Sequence, residues 1–309
     1  MSDKHTLSFA IIGTGAIGGY YGGLLARTGY PTHFLARSDA QYMQQHGLKV
    51  RSPKGDFHLT NIAVYQNSSD LPDCDVVCVC LKTTHNDILQ RLLPQITTPE
   101  TAIVLIQNGL GEEEKIAKIL PENPILGCMA FICSTKSKPG IIEHLDYGHV
   151  ILAPYSACSA NSALEAIKAA FQDAGISTTI EPDLMLARWK KLMWNIPYNG
   201  LSVLLNATTD RIMADPDSRS LIIELMREVQ SGAKACGCPI EDSFLEKMLS
   251  NTQKMTPYKT SMMLDYASGS PMELESMFAA PLRYAQAKGT SLPRIETLYK
   301  ALMFKDKGS

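Results

Sequence analysis

A short apolar segment that runs into three spaced glycines constrains the fold of this chain more than any other feature. Residues 7–12 predict a buried strand, and the glycine-rich turn after it opens a predicted helix that reaches about Thr28. In a G-x-G-x-x-G turn the first glycine permits a tight turn, the second lets a pyrophosphate approach the backbone, and the third lets the helix pack on the strand. The helix N-terminus then faces the negative charge of the ligand. The residues predicted to bind a dinucleotide are Gly13, Thr14, Gly15, Ala16, Ile17 and Gly18. The alternative is a strand–helix turn that binds nothing.

The rest of the first half continues this pattern of short apolar runs between helical segments. Further strands are predicted at 32–36, 75–81, 102–106, 125–131, 141–144 and 149–153, with an amphipathic helix at about 161–173. Such alternation is typical of a parallel sheet with crossover helices. We therefore predict an α/β N-terminal domain, a Rossmann-type doubly wound sheet, over residues 1–181.

The second half has a different character. Helical patterns are predicted at 183–205, 216–236, 241–250, 257–268, 271–288 and 292–304, and no strand-like alternation stands out among them. A chain of 309 residues exceeds what one compact core usually holds. We therefore predict an all-α C-terminal domain over residues 182–309. All seven histidines lie at or before His149, so this predicted domain has none.

Composition excludes several classes of protein. The formal net charge is -2 with no long like-charge run, which gives no footprint for nucleic acid or an anionic membrane surface. The N-terminus lacks the features of a secretory signal, and no apolar stretch approaches the ~18 residues of a membrane span. No Cys-x-x-Cys pair with a matching second pair is present, so neither a zinc site nor a redox motif is indicated. Cys78 and Cys80 alternate within an apolar predicted strand, where reduced thiols behave as small hydrophobic side chains, so a reducing cytoplasm is expected. The cysteines are Cys74, Cys78, Cys80, Cys128, Cys133, Cys158, Cys236 and Cys238.

The end of the second predicted strand favours NADP(H) over NAD(H). An NAD site usually places Asp or Glu there for the ribose 2′-hydroxyl, whereas this chain has Arg37. A guanidinium can bind the additional phosphate of NADP through two parallel hydrogen bonds. Asp39 lies two residues later and is predicted to start the next helix. The alternative is that Arg37 is a solvated loop residue.

Two further polar residues follow predicted strands. Lys82 comes directly after the strand 75–81, and Asn108 follows the strand 102–106. Ligands of open parallel sheets bind beyond the carboxyl ends of the strands, so both residues are expected on the edge that carries the glycine turn. We predict both as cofactor-binding residues. The alternatives are a solvated strand end for Lys82 and a simple Asn-Gly turn for Asn108.

A polar stripe crosses the apolar helix predicted at 183–205. Lys191, Asn195 and Asn199 recur every four residues and therefore share one face of the helix. Because their neighbours are strongly apolar, these groups need hydrogen-bond partners. A snorkelling lysine with two core amides bonded to backbone is the alternative to a functional site. A nicotinamide cofactor that delivers hydride to a carbonyl group requires a proton donor, and without histidine in this half the donor is Lys, Tyr, or a histidine from the first half.

Together these motifs resemble the ketopantoate reductase family, with a further match at Ser261-Met-Met-Leu-Asp265 and at Glu273. The resemblance spans nearly the whole chain. It implies that Lys191 is the general acid and that Asn195, Asn199, Ser261 and Glu273 hold the substrate, with Glu273 also a candidate catalytic residue beside Lys191. It also implies cofactor-side roles for Lys82 and Asn108. Tyr258 and Thr209 replace substrate-side asparagines of some family members, so they depart from the pattern in the substrate pocket.

Three functions follow as hypotheses. The first is NADPH-dependent reduction of ketopantoate to pantoate in pantothenate synthesis. The second is reduction of another branched or aromatic 2-oxo acid, which the departures at Tyr258 and Thr209 favour. The third is an NADP-binding sensor without turnover, against which the retention of Lys191 argues. The expected partner is a small 2-oxo acid, with no metal, nucleic acid or membrane, and the sequence leaves a homodimer open.

Overall fold

A computed structural model describes residues 6–155 and 160–307 and divides the chain into two units. The first unit comprises the residues up to Gln107 together with Glu112–Leu184, and the second comprises Asn108–Gly111 with the residues from Met185 onward. The sequence pattern predicts a division between residues 181 and 182, with residues 108–111 in the first domain. No helix in the described part of the chain combines the length and the apolar character that a membrane span requires.

The first unit is built on one sheet, with ten strands in its described residues. They are β1 (Phe9–Ile12), β2 (Thr32–Leu35), β3 (Leu48–Arg51), β4 (Phe57–Leu59), β5 (Ala63–Tyr65), β6 (Val76–Val79), β7 (Ala102–Leu105), β8 (Ile125–Lys138), β9 (Ile141–Pro154) and β10 (Thr178–Ile180). Their order is β4-β3-β9-β8-β7-β6-β1-β2-β5, with β10 paired to β9. Pairing is parallel from β5 through β2, β1, β6 and β7 to β8.

Helices cover both faces of the parallel strands, which confirms the doubly wound α/β fold. The helices of this unit are α1 (Ala16–Thr28), α2 (Ala40–His46), α3 (Leu89–Ile96), α4 (Glu112–Ile119) and α5 (Ala160–Asp173). β1, β6 and β7 are buried at every position. Alternate residues of these strands enter two separate cores, one with α1 and α5 and the other with α3 and α4.

The longest strands differ from the prediction. The pieces predicted at 125–131, 141–144 and 149–153 belong to one antiparallel hairpin of two 14-residue strands, β8 and β9. Three register shifts interrupt this pairing, after Phe131, Cys133 and Lys136. Each shift breaks the alternation of buried and exposed side chains, which is the signal that marks a strand in a sequence. The sequence pattern therefore predicts only separate fragments of this hairpin.

The described part of the second unit is helical, as predicted. Its helices are α6 (Leu184–Leu205), α7 (Thr209–Ala214), α8 (Pro216–Ala235), α9 (Asp242–Lys254), α10 (Ser261–Ala267), α11 (Ala280–Gln286) and α12 (Pro293–Asp306). α6 continues through Pro197 as one helix. The helix predicted at 271–288 is present over residues 274–286, but it begins with a π-helical turn, Glu275–Ala279, that leads into α11. The helix predicted from 257 begins at Ser261, because the Thr260 side chain caps it by accepting from the N–H of Met263.

A buried carboxylate caps the last helix. No side chain of α12's own N-cap residue accepts a hydrogen bond there. Instead Glu228 of α8 accepts from the backbone N–H groups of Arg294 and Ile295, each at 3.0 Å. The Arg294 side chain also contacts Glu228 and, at 2.6 Å, the more exposed Glu224. One arginine thus has a buried and an exposed acidic partner.

We expect Glu228→Ala to lower the free energy of unfolding by about 2 kcal/mol, because two helix N–H groups lose their acceptor. Glu224→Ala is the matched control and should leave the unfolding midpoint almost unchanged, since exposed ion pairs contribute little. Urea unfolding followed by circular dichroism measures both variants. Equal losses in the two variants would contradict the assignment of Glu228 as the cap of α12.

Candidate active site

Four parallel strands of the first unit end at the same level. In the register of the sheet Ile12 pairs with Leu35 and with Val79, and Val79 pairs with Leu105. The residues that follow these strand ends therefore share one edge of the sheet. Gly13 follows β1 directly, Arg37 lies two residues beyond β2, and Lys82 lies three beyond β6. The register brings together the predicted cofactor residues of the first unit at the edge where ligands of such sheets bind.

The three glycines of the turn differ in their steric surroundings. Gly13 has a φ of +96°, in the left-handed region that favours glycine. A Cβ on Gly18 would lie 2.0 Å from the carbonyl oxygen of Gly13 and 3.0 Å from the Cys80 side chain, so the start of α1 can approach the strands only without it. A Cβ on Gly15 would meet nothing within 4 Å, which means that the space over Gly15 is open.

The start of α1 suits an anionic ligand. Gly15 is the N-cap residue, and no side chain caps the helix there. The first turn of α1 contains no acidic residue, so the helix itself places no carboxylate beside its free backbone N–H groups that would repel a pyrophosphate. The residues present at this turn therefore fit the dinucleotide that the glycine pattern predicts.

Arg37 also fits the phosphate of NADP. Its side chain is exposed, and no described residue forms an ion pair with it. Asp39 precedes α2 as its N-cap residue, as predicted, but its carboxylate does not cap the helix. It is 3% exposed and accepts from Lys136 Nζ at 2.7 Å and from Ser38 Oγ at 3.0 Å. The acid nearest to Arg37 in the sequence is therefore already paired with a cation.

Lys82 precedes a short 3-10 turn, Thr83–Ile88, and its carbonyl accepts from the N–H of His85 at 2.9 Å.

A hydrogen-bond network that the sequence does not predict stabilises this 3-10 turn. Gln107 Nε2 donates to the Leu81 carbonyl and to Asn86 Oδ1, both at 2.7 Å. Asn86 Nδ2 in turn donates to the buried carboxylate of Glu112 at 2.6 Å. These residues do not recur at a spacing that predicts contact, so the network is apparent only from the folded structure.

Asn108 lies in the second unit, whereas its position after a predicted strand predicts a place among the cofactor residues of the first domain. Its Oδ1 accepts from Asn195 Nδ2 at 3.3 Å, and its Nδ2 donates to Glu273 Oε2 at 3.4 Å. Asn195 is 3% exposed and Glu273 is 6% exposed. Three predicted site residues, far apart in sequence, therefore form one hydrogen-bonded row. The role of Asn108 on the cofactor side stays a prediction.

Gly109 explains why this segment belongs to the helical unit. A Cβ on Gly109 would lie 2.4 Å from the Ser276 side chain and from its carbonyl oxygen, and the φ of +94° also favours glycine. The next residue, Leu110, donates its N–H to the same Ser276 carbonyl at 3.0 Å. Residues 108–111 are thus seated on the π-helical turn, two residues after Glu273. Such turns recur at functional sites.

The stripe on α6 is present, but its members have different surroundings. Lys191 is half-buried one turn before Asn195. Asn199, 2% exposed, accepts from the N–H of Met262 at 3.5 Å and directs its amide nitrogen to the Met277 sulfur at 3.9 Å. Ser261 is exposed at the first turn of α10. The structure therefore groups Asn195 with Asn108 and Glu273, and places Asn199 against α10 and the π-helical turn.

The two positions that depart from the family pattern are neighbours. The N–H of Thr209, at the start of α7, donates to the Tyr258 carbonyl at 3.1 Å. Thr209 is 1% exposed, while Tyr258 is partly exposed. Both departures therefore concern one local region of the helical unit, and the row from Asn195 to Glu273 is intact.

Comparison with known proteins gives consistent matches along the whole chain. The family model for ketopantoate reductase PanE/ApbA matches residues 9–157, and the model for its C-terminal domain matches residues 183–306. A curated 2-dehydropantoate 2-reductase of Nostoc sp. (strain PCC 7120) is 49% identical over 302 residues, which cover 96% of this chain and 95% of that protein.

Solved structures agree with this match. The crystal structure of 2-dehydropantoate 2-reductase from Geobacter metallireducens GS-15 is 39% identical, with a TM-score of 0.93 over 96% of this chain and 99% of that one. The enzyme from Methylococcus capsulatus is 34% identical, with a TM-score of 0.87 over 96% of both chains. The matches cover both units, and the motifs at Gly13, Lys191 and Glu273 fall within them. The chain therefore belongs to the ketopantoate reductase family.

Proposed function

We propose that this protein uses NADPH to reduce 2-dehydropantoate (ketopantoate) to pantoate, a step of pantothenate and coenzyme A synthesis. The observation that carries the proposal is the row Asn195–Asn108–Glu273, with Lys191 one helical turn away on the same face of α6. This row places hydrogen-bond donors, an acceptor and an ammonium group in one region of the helical unit. The 49% identity to a curated 2-dehydropantoate 2-reductase supports the same substrate.

The chemistry assigns one task to each group. When bound, the reduced nicotinamide supplies the hydride that adds to the carbonyl carbon of the substrate. The pair of electrons in the broken π bond moves to the oxygen, which gains alkoxide character. Lys191 stabilises that charge and donates a proton to the oxygen, so that a secondary alcohol forms. Gly13–Gly18 and Arg37 would hold the dinucleotide, through backbone N–H groups and through the 2′-phosphate respectively.

The remaining groups suit a substrate with a carboxylate and a hydroxyl. Amide nitrogens of Asn195 and Asn199 and the hydroxyl of Ser261 can donate hydrogen bonds to a carboxylate. The Glu273 carboxylate is an acceptor, which suits the hydroxyl of ketopantoate. Glu273 already accepts one bond from Asn108, and this bond fixes the orientation of its side chain.

The cysteines support a reducing compartment. Burial raises the pKa of the Cys74 thiol to about 11 and that of Cys78 further. Cys74, Cys78 and Cys80 lie as thiols within the strand region of the core, where they behave as small hydrophobic side chains. We therefore propose a cytoplasmic location, and the homodimer stays a prediction.

Substrate identity can be tested by following NADPH oxidation at its absorbance band. The panel is ketopantoate, 2-oxoisovalerate, pyruvate and phenylpyruvate at matched concentrations. We expect the highest kcat/KM for ketopantoate, because only it offers both the carboxylate and the hydroxyl that the site residues match. A higher value for phenylpyruvate or 2-oxoisovalerate would replace the proposed substrate, and turnover of none of the four would reject the reductase.

We expect Lys191→Ala to lower kcat by at least about a hundredfold, because the proton donor is lost. NADPH binding, measured by quenching of protein fluorescence, should remain nearly intact. Lys190→Ala is the matched control, since Lys190 is the adjacent lysine of the same helix and contacts the Phe244 ring instead. Full activity of Lys191→Ala would discard Lys191 as the acid.

We expect Arg37→Asp to shift coenzyme preference from NADPH towards NADH, because a carboxylate repels the 2′-phosphate and can bind the ribose hydroxyl. The measurement is the ratio of kcat/KM for the two coenzymes at saturating ketopantoate. Arg91→Asp, at an exposed position of α3, makes the same charge change elsewhere in the first unit. An unchanged ratio in Arg37→Asp would remove Arg37 from the coenzyme site.

A further inference from the structure

The loop that carries Arg37 contains a carboxylate that opposes NADP binding in principle. Asp39 lies two residues after Arg37, so the two Cα atoms are within about 7 Å of each other. An acidic residue after the second strand is the feature that selects NAD in related folds. A chain that uses NADPH therefore needs to neutralise this charge or to turn it away from the coenzyme.

One lysine, Lys136, pairs with the Asp39 carboxylate, which is also buried. Lys136 Nζ lies 2.7 Å from Asp39 Oδ2, with the aspartate side chain 4% exposed and the lysine side chain 35% exposed. Ser38 Oγ donates to the other carboxylate oxygen at 3.0 Å. Both oxygens of Asp39 are thus engaged, and the carboxylate is buried while Arg37 stays exposed.

Lys136 lies beside an irregularity in the long hairpin. Lys136 pairs with Ile142 and Lys138 with Ile141, so a register shift falls between the two lysines. Such bulges re-aim side chains relative to a regular strand. Lys138, at the other side of the shift, is exposed and has no ion-pair partner in the described part of the chain. Two lysines of one strand therefore differ in their contact with the coenzyme loop.

We propose that Lys136 is a specificity-positioning residue, which holds the Asp39 carboxylate buried and neutralised so that Arg37 alone faces the 2′-phosphate of NADPH. The inference rests on the proposed use of NADPH. Lys136 acts through Asp39 and does not itself bind the phosphate. Its loss should therefore weaken NADP(H) binding while leaving NAD(H) binding nearly unchanged.

The experiment measures dissociation constants of NADP⁺ and NAD⁺ by isothermal titration calorimetry, without any 2-oxo acid present. The variants are Lys136→Met, Asp39→Asn and the double variant, with Lys138→Met as the control for a lost charge on the same strand. Lys136→Arg tests whether any cationic side chain at this position maintains the preference for NADP⁺. Thermal unfolding of each variant shows that the first unit is folded, and the NADPH to NADH ratio of kcat/KM is a second readout.

We expect Lys136→Met to lower the preference for NADP⁺ over NAD⁺ about threefold to tenfold at low ionic strength, from the repulsion of a phosphate dianion by one nearby carboxylate. Adding Asp39→Asn to that variant should restore the preference, because the repelling charge is gone. Lys138→Met and Lys136→Arg should keep it.

Two outcomes would overturn the inference. If the double variant stays as poor for NADP⁺ as Lys136→Met, then Lys136 binds the phosphate directly. If Lys136→Met weakens the binding of NADP⁺ and of NAD⁺ equally, then Lys136 supports the structure of the loop and does not determine coenzyme specificity. Failure of the proposed reductase function is a separate result, since it appears as absent turnover of ketopantoate in the unaltered protein while the binding ratios remain measurable.

Discussion

The common level at which β2, β1, β6 and β7 end is the constraint on which the coenzyme half of this protein depends. Ile12, Leu35, Val79 and Leu105 are in register across the sheet. The three inner strands are buried at every position, so a slip by one residue would exchange the side chains of two different cores. The glycine at position 18 then allows α1 to start against those strand ends, because a side chain there would overlap the Gly13 carbonyl.

The parts of this half that depend on neighbouring residues can be predicted from the sequence. The parts that depend on pairing between distant residues cannot. The strand–glycine–helix unit is encoded by residues that adjoin one another, so the sequence predicts it directly. The hairpin of β8 and β9 is different, since its register shifts erase the alternation that marks a strand. Lys136 of the same hairpin contacts Asp39, a residue 97 positions away in the sequence. A pattern confined to a few neighbouring residues cannot contain that information.

The helical half shows the same division. Helical periodicity predicts the stripe of Lys191, Asn195 and Asn199, because four-residue spacing alone determines a shared face. It does not predict that Asn195 meets Asn108 or that Asn108 meets Glu273 across 165 residues. Glu273 was identified through family resemblance. The sequence does not predict the π-helical turn after it, because residues 276–281 are all buried and the segment has no one-sided apolar pattern in which an extra residue would show.

Gln107 and Asn108 show why a residue's place after a strand does not fix its partners. The Gln107 amide donates to Leu81 and Asn86 within the first unit. The Asn108 amide bonds to Asn195 and Glu273 within the second. The cause of this change at one peptide bond lies in the next residue, because Gly109 lacks the side chain that would collide with Ser276. A backbone contact available only to glycine thus decides which unit receives the Asn108 amide, and through it the orientation of Glu273.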